Sequence, residues 1–597
     1  MTPNKMYVRP ALKTLAVCLL VLLTACVDLA PVTSDFKTTS NVTDWRDEVI
    51  YQLMVDRFAD GDPNNNWNVR PDAPTAYHGG DWQGVIDNLD YLEKLGVTAI
   101  WISPVVKNVE EDAGIASYHG YWTQDFVNVN PHFGDIAKLR EMVLACHARG
   151  IKVILDIVVN HIGQLFYYDI NNNGQPDDMV MGSGTRSPLT RTTEWDPDFD
   201  PRGIQAFTSL GESGPAPVRW VYSPEIMRTP PNPPEFANAD WYNLKGRVTD
   251  WNDWDQVVTG DFPGGLKDIK TTHPDVRAAL LKAFEYWIDA ADFDAFRIDT
   301  LKHVEHEFWQ TFCPGIRKHC QEIGKKNFFM FGEAFDGDDA LLGSFTRDNE
   351  VDSVFYFSQK FRVIDGVFKG GGPTSAIRDL YEERALNYAL EPVQSGVTDE
   401  EGNGVAPHDL LVNFIDNHDI PRFLFEFPHP ENLRAALFFL FTWDGIPCVY
   451  YGTEQDFEGG NDPANREDLW PGSRRTEGAT FRHISELAKI RRTLAPLRRG
   501  DNVVRYATDH IGGEQDAGIF AFERNYNDEK VLVVLNAGKD HASDTSYQGE
   551  DMVTGFAEGT RLVNVWGAAA GETVGVGAGG RFKTTVPPLT GKIFTVK

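Results

Sequence analysis

Residues 152–161 read KVILDIVVNH, and residues 293–300 read FDAFRIDT. Each is an apolar run of strand length that carries polar groups toward its carboxyl end: Asp156, Asn160 and His161 in the first, Arg297 and Asp299 in the second. A strand that is apolar on both faces is covered on both sides, as in a parallel sheet wrapped by crossover helices. Six more runs have this character: VIYQLMVDRF from Val49, VTAIWISPV from Val97, FFMFGEAF from Phe328, VFYF from Val354, LLVNFIDNHD from Leu410 and IPCVYYG from Ile446. Between most of them lie amphipathic stretches such as Ile136 to Gly150 and Val276 to Ala290, with apolar residues three and four apart. Eight strand and helix repeats predict an α/β fold, a (β/α)8 TIM barrel.

The rhythm breaks between the third and fourth runs, where an Asn-, Pro-, Gly- and Trp-rich stretch is too long for a loop and reads as an inserted domain. After about Gly500 it changes to short strands with Gly-rich turns, such as GIFAFERN and KVLVVLNAG, the pattern of an antiparallel β-sandwich. The predicted organisation is therefore barrel over 45–160 and 266–499, insertion over 161–265 and β domain over 500–597.

At the amino end, Lys5, Arg9 and Lys13 precede an apolar run from Leu15 to Leu23, then Thr24, Ala25 and Cys26. The run is too short to span a bilayer and reads as an export signal. Leu23-Thr24-Ala25-Cys26 resembles the bacterial lipoprotein cleavage box, which implies a signal over 1–25, a lipid-modified Cys26 and a polar tether over 26–44. The expected location is outside the cytoplasm, anchored to a bacterial membrane at the outer membrane or cell surface, with secretion as the alternative. Cys146, Cys313, Cys320 and Cys448 show no metal-site spacing; Cys313 and Cys320 are near enough in sequence for a bridge, and buried thiols are the other reading.

The 597 residues carry 56 Lys+Arg against 87 Asp+Glu, a formal charge of −31. That balance argues against nucleic acid and anionic membrane surfaces as partners, and suits a neutral substrate. A monomer is expected, touching the membrane through its lipid anchor alone.

In such barrels the groups at the carboxyl ends of strands face the site. Arg297 and Asp299 are two apart on one strand and share a face, where the guanidinium keeps the carboxylate ionised. Glu333 lies on the next strand, and His418 and Asp419 end the seventh run. Two carboxyl groups on one cleft are what glycoside hydrolysis requires.

The runs DIVVNH, AFRIDTLKH, FGEAF and FIDNHD resemble the four signature regions of glycoside hydrolase family 13, the α-amylase family. WISPV, YHGYWTQDF and GGDWQG resemble further motifs of its cyclodextrin glucanotransferases and fungal-type α-amylases. The resemblance covers about 45–597 as barrel, domain B and domain C. It implies Asp299 as nucleophile, Glu333 as general acid/base and Asp419 as the carboxylate that holds the sugar at the cleavage site. It further implies Arg297, His161 and His418 around them, His119 and Tyr121 on the sugar before the bond, and Lys302 and His303 beyond it. Two departures are Ala295 before Phe296, where the family usually has Gly, and GLKDI (Gly265 to Ile269) in place of a Pro-Asp-Leu-Asn type motif.

Calcium is the expected ion, because oxygen donors suit a hard cation and no Cys or His cluster suits zinc. By resemblance one site joins Asn160, Asp268 and the main chain of His303, and a second joins Asp60, Asp62, Asn65 and Asn66 to Gly79 and Asp81. A third candidate is DINNNGQPDD, where Asp169, Asn171 and Asn173 follow the alternation of an EF-hand loop but Val180 stands at the twelfth position.

The expected activity is that of an α-amylase, a retaining endo-hydrolase of α-1,4 bonds in starch and related α-glucans. The alternatives are a cyclodextrin glucanotransferase or other α-1,4-glucan transglycosylase, and a non-catalytic glucan-binding relative. Usual glucanotransferases carry two more β domains after domain C, for which the sequence up to Lys597 leaves no room; a non-catalytic relative should lack the carboxylates, and all three are present.

Overall fold

The computed structural model describes residues 29, 37–112, 114–169, 215, 217–222, 224, 227–262, 265–470 and 474–597. The eight apolar runs form eight strands: β1 (Ile50–Leu53), β2 (Ala99–Ile102), β3 (Lys152–Ile157), β4 (Ala295–Ile298), β5 (Phe329–Gly332), β6 (Ser353–Val354), β7 (Val412–Phe414) and β8 (Ile446–Tyr450). Each pairs in parallel with its neighbour from β1 to β6, β7 pairs with β8, and β8 returns to β1. A single parallel bridge, Phe355 to Val412, joins the β6 and β7 sides, so the barrel is all but closed. The strands are buried nearly throughout, which explains why they read as continuous apolar runs.

Helices on the outside follow from their sequences. α1 (Ile136–Ala148) starts at Asp135, whose carboxylate accepts the Lys138 N–H. α2 (Pro274–Ala291) begins with a proline at its first position and buries Val276, Ala279, Leu280, Ala283, Phe284, Trp287 and Ile288, a three-and-four stripe laid on the barrel. α3 (His306–Ile323) buries Cys313 and Cys320 as free thiols one face apart from solvent, so the bridge weighed from their spacing is absent. Among the described residues no helix is long and apolar enough to cross a membrane.

The excursion between β3 and β4 opens with His161–Ile162 paired to Lys267–Asp268, and Phe166–Tyr168 pairs antiparallel with Val218–Trp220. Asn171 and Asn173 lie outside the described residues, as do Cys26 and the export signal. Asp169 is described, and its carboxylate accepts from Arg219 at 2.8 Å.

Beyond the barrel, Asp501–Ala507, Ile519–Tyr526, Glu529–Asn536, Arg561–Asn564, Thr573–Gly575 and Thr590–Val596 form an antiparallel six-stranded sheet. Its alternation builds two cores. Phe520, Phe522, Val531, Val533 and Ile593 face the barrel, while Ile519, Ala521, Leu532, Val534 and Phe594 face a second layer carrying Met552, Phe582 and Val586. The sheet meets the barrel so closely that a Cβ at Gly591 would lie 2.2 Å from the Phe438 ring.

At the amino ends of the strands, the segment entering the barrel is fastened by charge. Thr39 bonds through N and Oγ1 to Asp292, and Lys325 Nζ lies 2.6 Å from Asp292 and 3.4 Å from Asp294. His147 Nε2 contacts Asp294 at 2.8 Å from the other side.

Candidate active site

The carboxyl ends of β3, β4, β5 and β7 bring their polar groups to one cleft of about 750 Å³. Its organiser is Arg297, fully buried on β4. Nη1 lies 3.0 and 3.1 Å from the two oxygens of Asp156 and 2.8 Å from Asp299 Oδ1, while Nη2 lies 3.2 Å from Glu333 Oε2. Trp101 and Tyr121 rings flank the guanidinium at 5.0 and 5.9 Å, and both also donate to Asp156 Oδ2, at 3.0 and 2.8 Å. One cation therefore faces three buried carboxyl groups.

That imbalance sets the proton affinities. Burial pushes the Glu333 carboxyl up to about 8; Arg297 opposes this, and the charges of Asp299 and Asp419 add to it. Burial likewise raises Asp156 to about 7, against the pull of Arg297. Asp299 is raised by burial too, with Arg297 opposing. Asp419 behaves differently: burial pushes it up, but His418, Arg466 and Arg297 outweigh burial and hold it below the usual range. The cleft thus offers a protonated carboxyl at Glu333 in the same site as an ionised Asp419, the separation of roles that acid–base chemistry on a sugar uses. The bonds to Glu333 from Arg297 and from the Thr300 N–H, 3.1 Å, both fall on Oε2.

The histidines are neutral. Burial takes His418 down to about 3 and His161 and His303 to about 4, and lowers His119 as well. Gln52 donates to His418 Nδ1 at 2.7 Å, so Nε2 carries the proton and faces Asp419 Oδ2 at 3.3 Å. His161 Nε2 donates to the Tyr121 carbonyl, the Tyr121 N–H donates to His119 Nδ1, and the Tyr121 ring lies between His119 and His418. Lys302 Nζ is held by the Phe335 carbonyl and by Asp336 at 3.2 Å, and His303 Nδ1 donates to the Val257 carbonyl at 2.9 Å. All ten residues expected at the catalytic centre and its sugar subsites meet here: His119, Tyr121, His161, Asp299, Lys302, His303, Glu333, His418 and Asp419 line the cleft, and Arg297 lies beneath it.

Sequence reasoning missed several partners. Arg466, from the loop after β8, reaches Asp419 Oδ1 at 3.4 Å, the His418 carbonyl at 3.1 Å and Asp462 at 2.9 Å. Gln52 on β1 and Trp101 on β2 had only their strand-end positions to betray them; Asp156 was visible as a strand-end charge without an assigned role.

The expected ion sites differ in what they assemble. In the loop of Asp60 to Asn66, Asn66 donates to Asp60 at 2.6 Å and Asn65 to Asp81 at 3.1 Å, while the Oδ1 atoms of both asparagines are buried without a hydrogen bond. Gly79, at φ 107°, leaves the space: a Cβ there would fall 2.5 Å from Asn66 Oδ1. Asp62 instead caps the short turn at Pro63. Asp268 is buried beside the Asn243 amide, 2.6 Å away, and burial holds its carboxyl well above the usual range; Asn160 adjoins it through the bond from Ile269 N–H to the Asn160 carbonyl. Among the described residues no three acidic, His or Cys side chains are placed to hold a metal ion between them, so either site would depend on amide and main-chain oxygens as well.

Residues 52–567 match the family model described as the α-amylase catalytic domain. The chain belongs to the α-amylase family, glycoside hydrolase family 13. A β/α-amylase of Paenibacillus polymyxa is 30% identical over 576 residues, covering 93% of this chain and 38% of that protein, so this chain spans well under half of that relative. An α-amylase structure from Anoxybacillus superposes with a TM-score of 0.68 at 27% identity, covering 92% and 98% of the two chains. A cyclomaltodextrin glucanotransferase with a three-domain ABC distribution superposes at 0.69 with 26% identity, covering 92% and 99%. That last likeness overturns the argument from length: an α-amylase-family glucanotransferase need not carry further β domains, so domain count does not separate hydrolase from transferase.

Proposed function

We propose that this enzyme is an α-amylase that hydrolyses internal α-1,4 bonds of starch-like glucans with retention of configuration. The observation that carries the reading is Arg297 bridging Asp299 and Glu333, which places both carboxyl groups on the two amino groups of one guanidinium. Retaining hydrolysis uses such a close pair, roughly 5 to 5.5 Å apart, and an inverting pair stands wider. Asp299, with Arg297 holding one oxygen, attacks the anomeric carbon as the leaving oxygen takes the Glu333 proton. Glu333, now ionised, then accepts the proton of the incoming water, which frees the sugar from Asp299 and restores both groups. Asp419, ionised beside Arg466 and His418, accepts hydrogen bonds from sugar hydroxyls. His119 and Tyr121 present their rings to the sugar before the bond, with His161 and His418 bonding to it; Lys302 and His303 face the sugar beyond it.

The likeness to a three-domain glucanotransferase supports a second reading, transfer of the glycosyl group to a sugar acceptor. A product time course on soluble starch tests the choice. Linear maltooligosaccharides of mixed length from the first minutes support the hydrolase; predominantly cyclic products move the enzyme to the transferases.

Calcium suits the donor set around Asp60, Asn65, Asn66 and Asp81, where two buried amide oxygens have no hydrogen bond; Asp268 beside Asn160 is the second proposed site, with the main chain of His303 as its expected third donor. Bound there it would supply charge neutralisation and crosslinking, tying the loop of Asp60 to Asn66 to Asp81 at the first site and the return of the insertion to the end of β3 at the second. Cys26 is proposed as a lipid anchor outside the cytoplasm; intact mass of the mature protein tests it, an acylated Cys26 terminus supporting the anchor and an unmodified terminus refuting it.

A further inference from the structure

Among the described residues of this tryptophan-rich chain, Trp251 and Trp254 stand out as exposed, at 48% and 47%. Of the other large aromatics of the insertion, Tyr222 is exposed as well, while Phe166, Trp241 and Tyr242 are buried in its core. The exposed pair sits on one turn at the rim of the cleft. Trp251 lines the cleft with Phe262, Lys302, His303 and Phe335. Its ring meets Phe262 at 5.8 Å and His303 at 5.9 Å, both edge-on. Trp254 lies outside that lining, as the first residue of the short helix Trp254–Thr259.

The turn is stiff where an exposed apolar loop would ordinarily be loose. The side-chain carbonyl of Gln256, itself buried, accepts from Thr249 N at 2.9 Å, Thr249 Oγ1 at 3.0 Å and Asp250 N at 3.1 Å. Its amide donates to Asp253 Oδ2 at 3.1 Å, and Asp253 caps the helix through Asp255 N. One residue further on, the Val257 carbonyl is bound by His303, so the mount is keyed to the cleft wall. Two indoles are thus held about half open to water on a braced support, at a cost in hydrophobic free energy that the edge contacts of Trp251 offset only in part.

We propose that Trp251 and Trp254 form a stacking platform that carries an α-glucan chain out of the cleft on the Lys302 and Phe335 side, so that the enzyme favours long chains over short ones. Gln256 is its positioning residue. The proposal rests on the glucan-hydrolase reading above. An indole face presents a broad apolar surface at small conformational cost, which suits the apolar faces of pyranose rings. A chain that ends within the cleft does not reach Trp254, and a longer one does.

The test is the ratio of kcat/KM on amylose to kcat/KM on maltotriose, for wild type, Trp254→Ala, Trp254→Phe and Gln256→Ala. Trp254→Ala should lower the ratio about three- to tenfold through KM on amylose, Trp254→Phe should restore most of it, and Gln256→Ala should lower it as well. Unchanged ratios in Trp254→Ala and Gln256→Ala overturn the platform. So does a fall that Phe fails to rescue while the melting temperature drops, since that marks a structural role. Absence of any α-1,4-glucan cleavage by wild type would instead overturn the underlying reading. Should the variants not fold, quenching of wild-type tryptophan emission by maltoheptaose but not maltotriose supports the platform, and equal quenching by both refutes it.

Discussion

The two ends of the barrel bury the same kinds of groups and reach opposite electrostatic outcomes. At the amino ends of the strands, Lys325 lies between Asp292 and Asp294, and His147 contacts Asp294 from the other side. Burial pushes Asp294 up, but His147, Lys325 and the Val153 N–H outweigh it, and the carboxyl stays below its usual range. At the carboxyl ends a lone Arg297 serves Asp156, Asp299 and Glu333, and burial takes Glu333 up to about 8. Where a carboxylate has several donors of its own the cluster fastens the chain; where three carboxyl groups share one guanidinium a proton stays available to react. Buried ion pairs are thus informative through their stoichiometry more than through their number.

The comparison breaks most sharply at the carboxyl ends. Asp299→Asn and Glu333→Gln should each fold as wild type, by circular dichroism and melting, yet lose roughly 10⁴-fold in kcat on starch. Activity within tenfold of wild type in either variant would remove that residue from its role.

At the amino ends the effect falls on stability instead. Asp294→Asn should cost about 3 kcal/mol in urea unfolding at pH 7, because it leaves Lys325 and His147 facing a neutral group. Since the folded-state value of Asp294 is depressed, its contribution is present above the unfolded value and disappears as pH falls through the folded one. The deficit of the variant should therefore shrink on acidification, while kcat of the folded enzyme stays within about twofold.

The pH dependence sharpens the contrast. Glu333 is raised, so its protonated form is full at low pH and lost as pH rises through about 8; kcat should fall roughly tenfold per unit above that point. The linkage has the same sign: the stability tied to Glu333 is present at low pH and lost towards pH 8, and Glu333→Gln should abolish that loss. A flat profile to pH 10 would contradict the raised carboxyl.

The smallest effect concerns the ion. Removal of calcium, verified by elemental analysis, should lower the melting temperature by several degrees, and recovery on re-addition should fail in Asp268→Asn combined with Asn66→Ala. A protein that melts unchanged when stripped would exclude the ion from both sites.

The fold was legible because parallel strands buried on both faces leave unbroken apolar runs. Even β6, two residues long, showed in VFYF, since its flanks are buried too. The carboxyl groups that line the cleft were legible because strand ends project to one mouth. What stayed hidden came from irregular chain. Arg466 and Asp462 lie in the loop after β8, and Trp251 and Trp254 on a turn of the insertion, where no period marks direction and only tertiary packing assigns a face. Gln52 was hidden for another reason: on an apolar strand a single amide reads as a tolerated polar residue, and its bond to His418 connects residues far apart in sequence.

Retention requires Asp299 and Glu333 to act from opposite sides of one anomeric carbon, in two inversions. Proton NMR of fresh digests of soluble starch by the purified enzyme reads that directly. The new reducing ends should appear as α-anomers before mutarotation, with linear oligosaccharides; β-anomeric ends, or no cleavage of α-1,4 bonds by the folded enzyme, would contradict it.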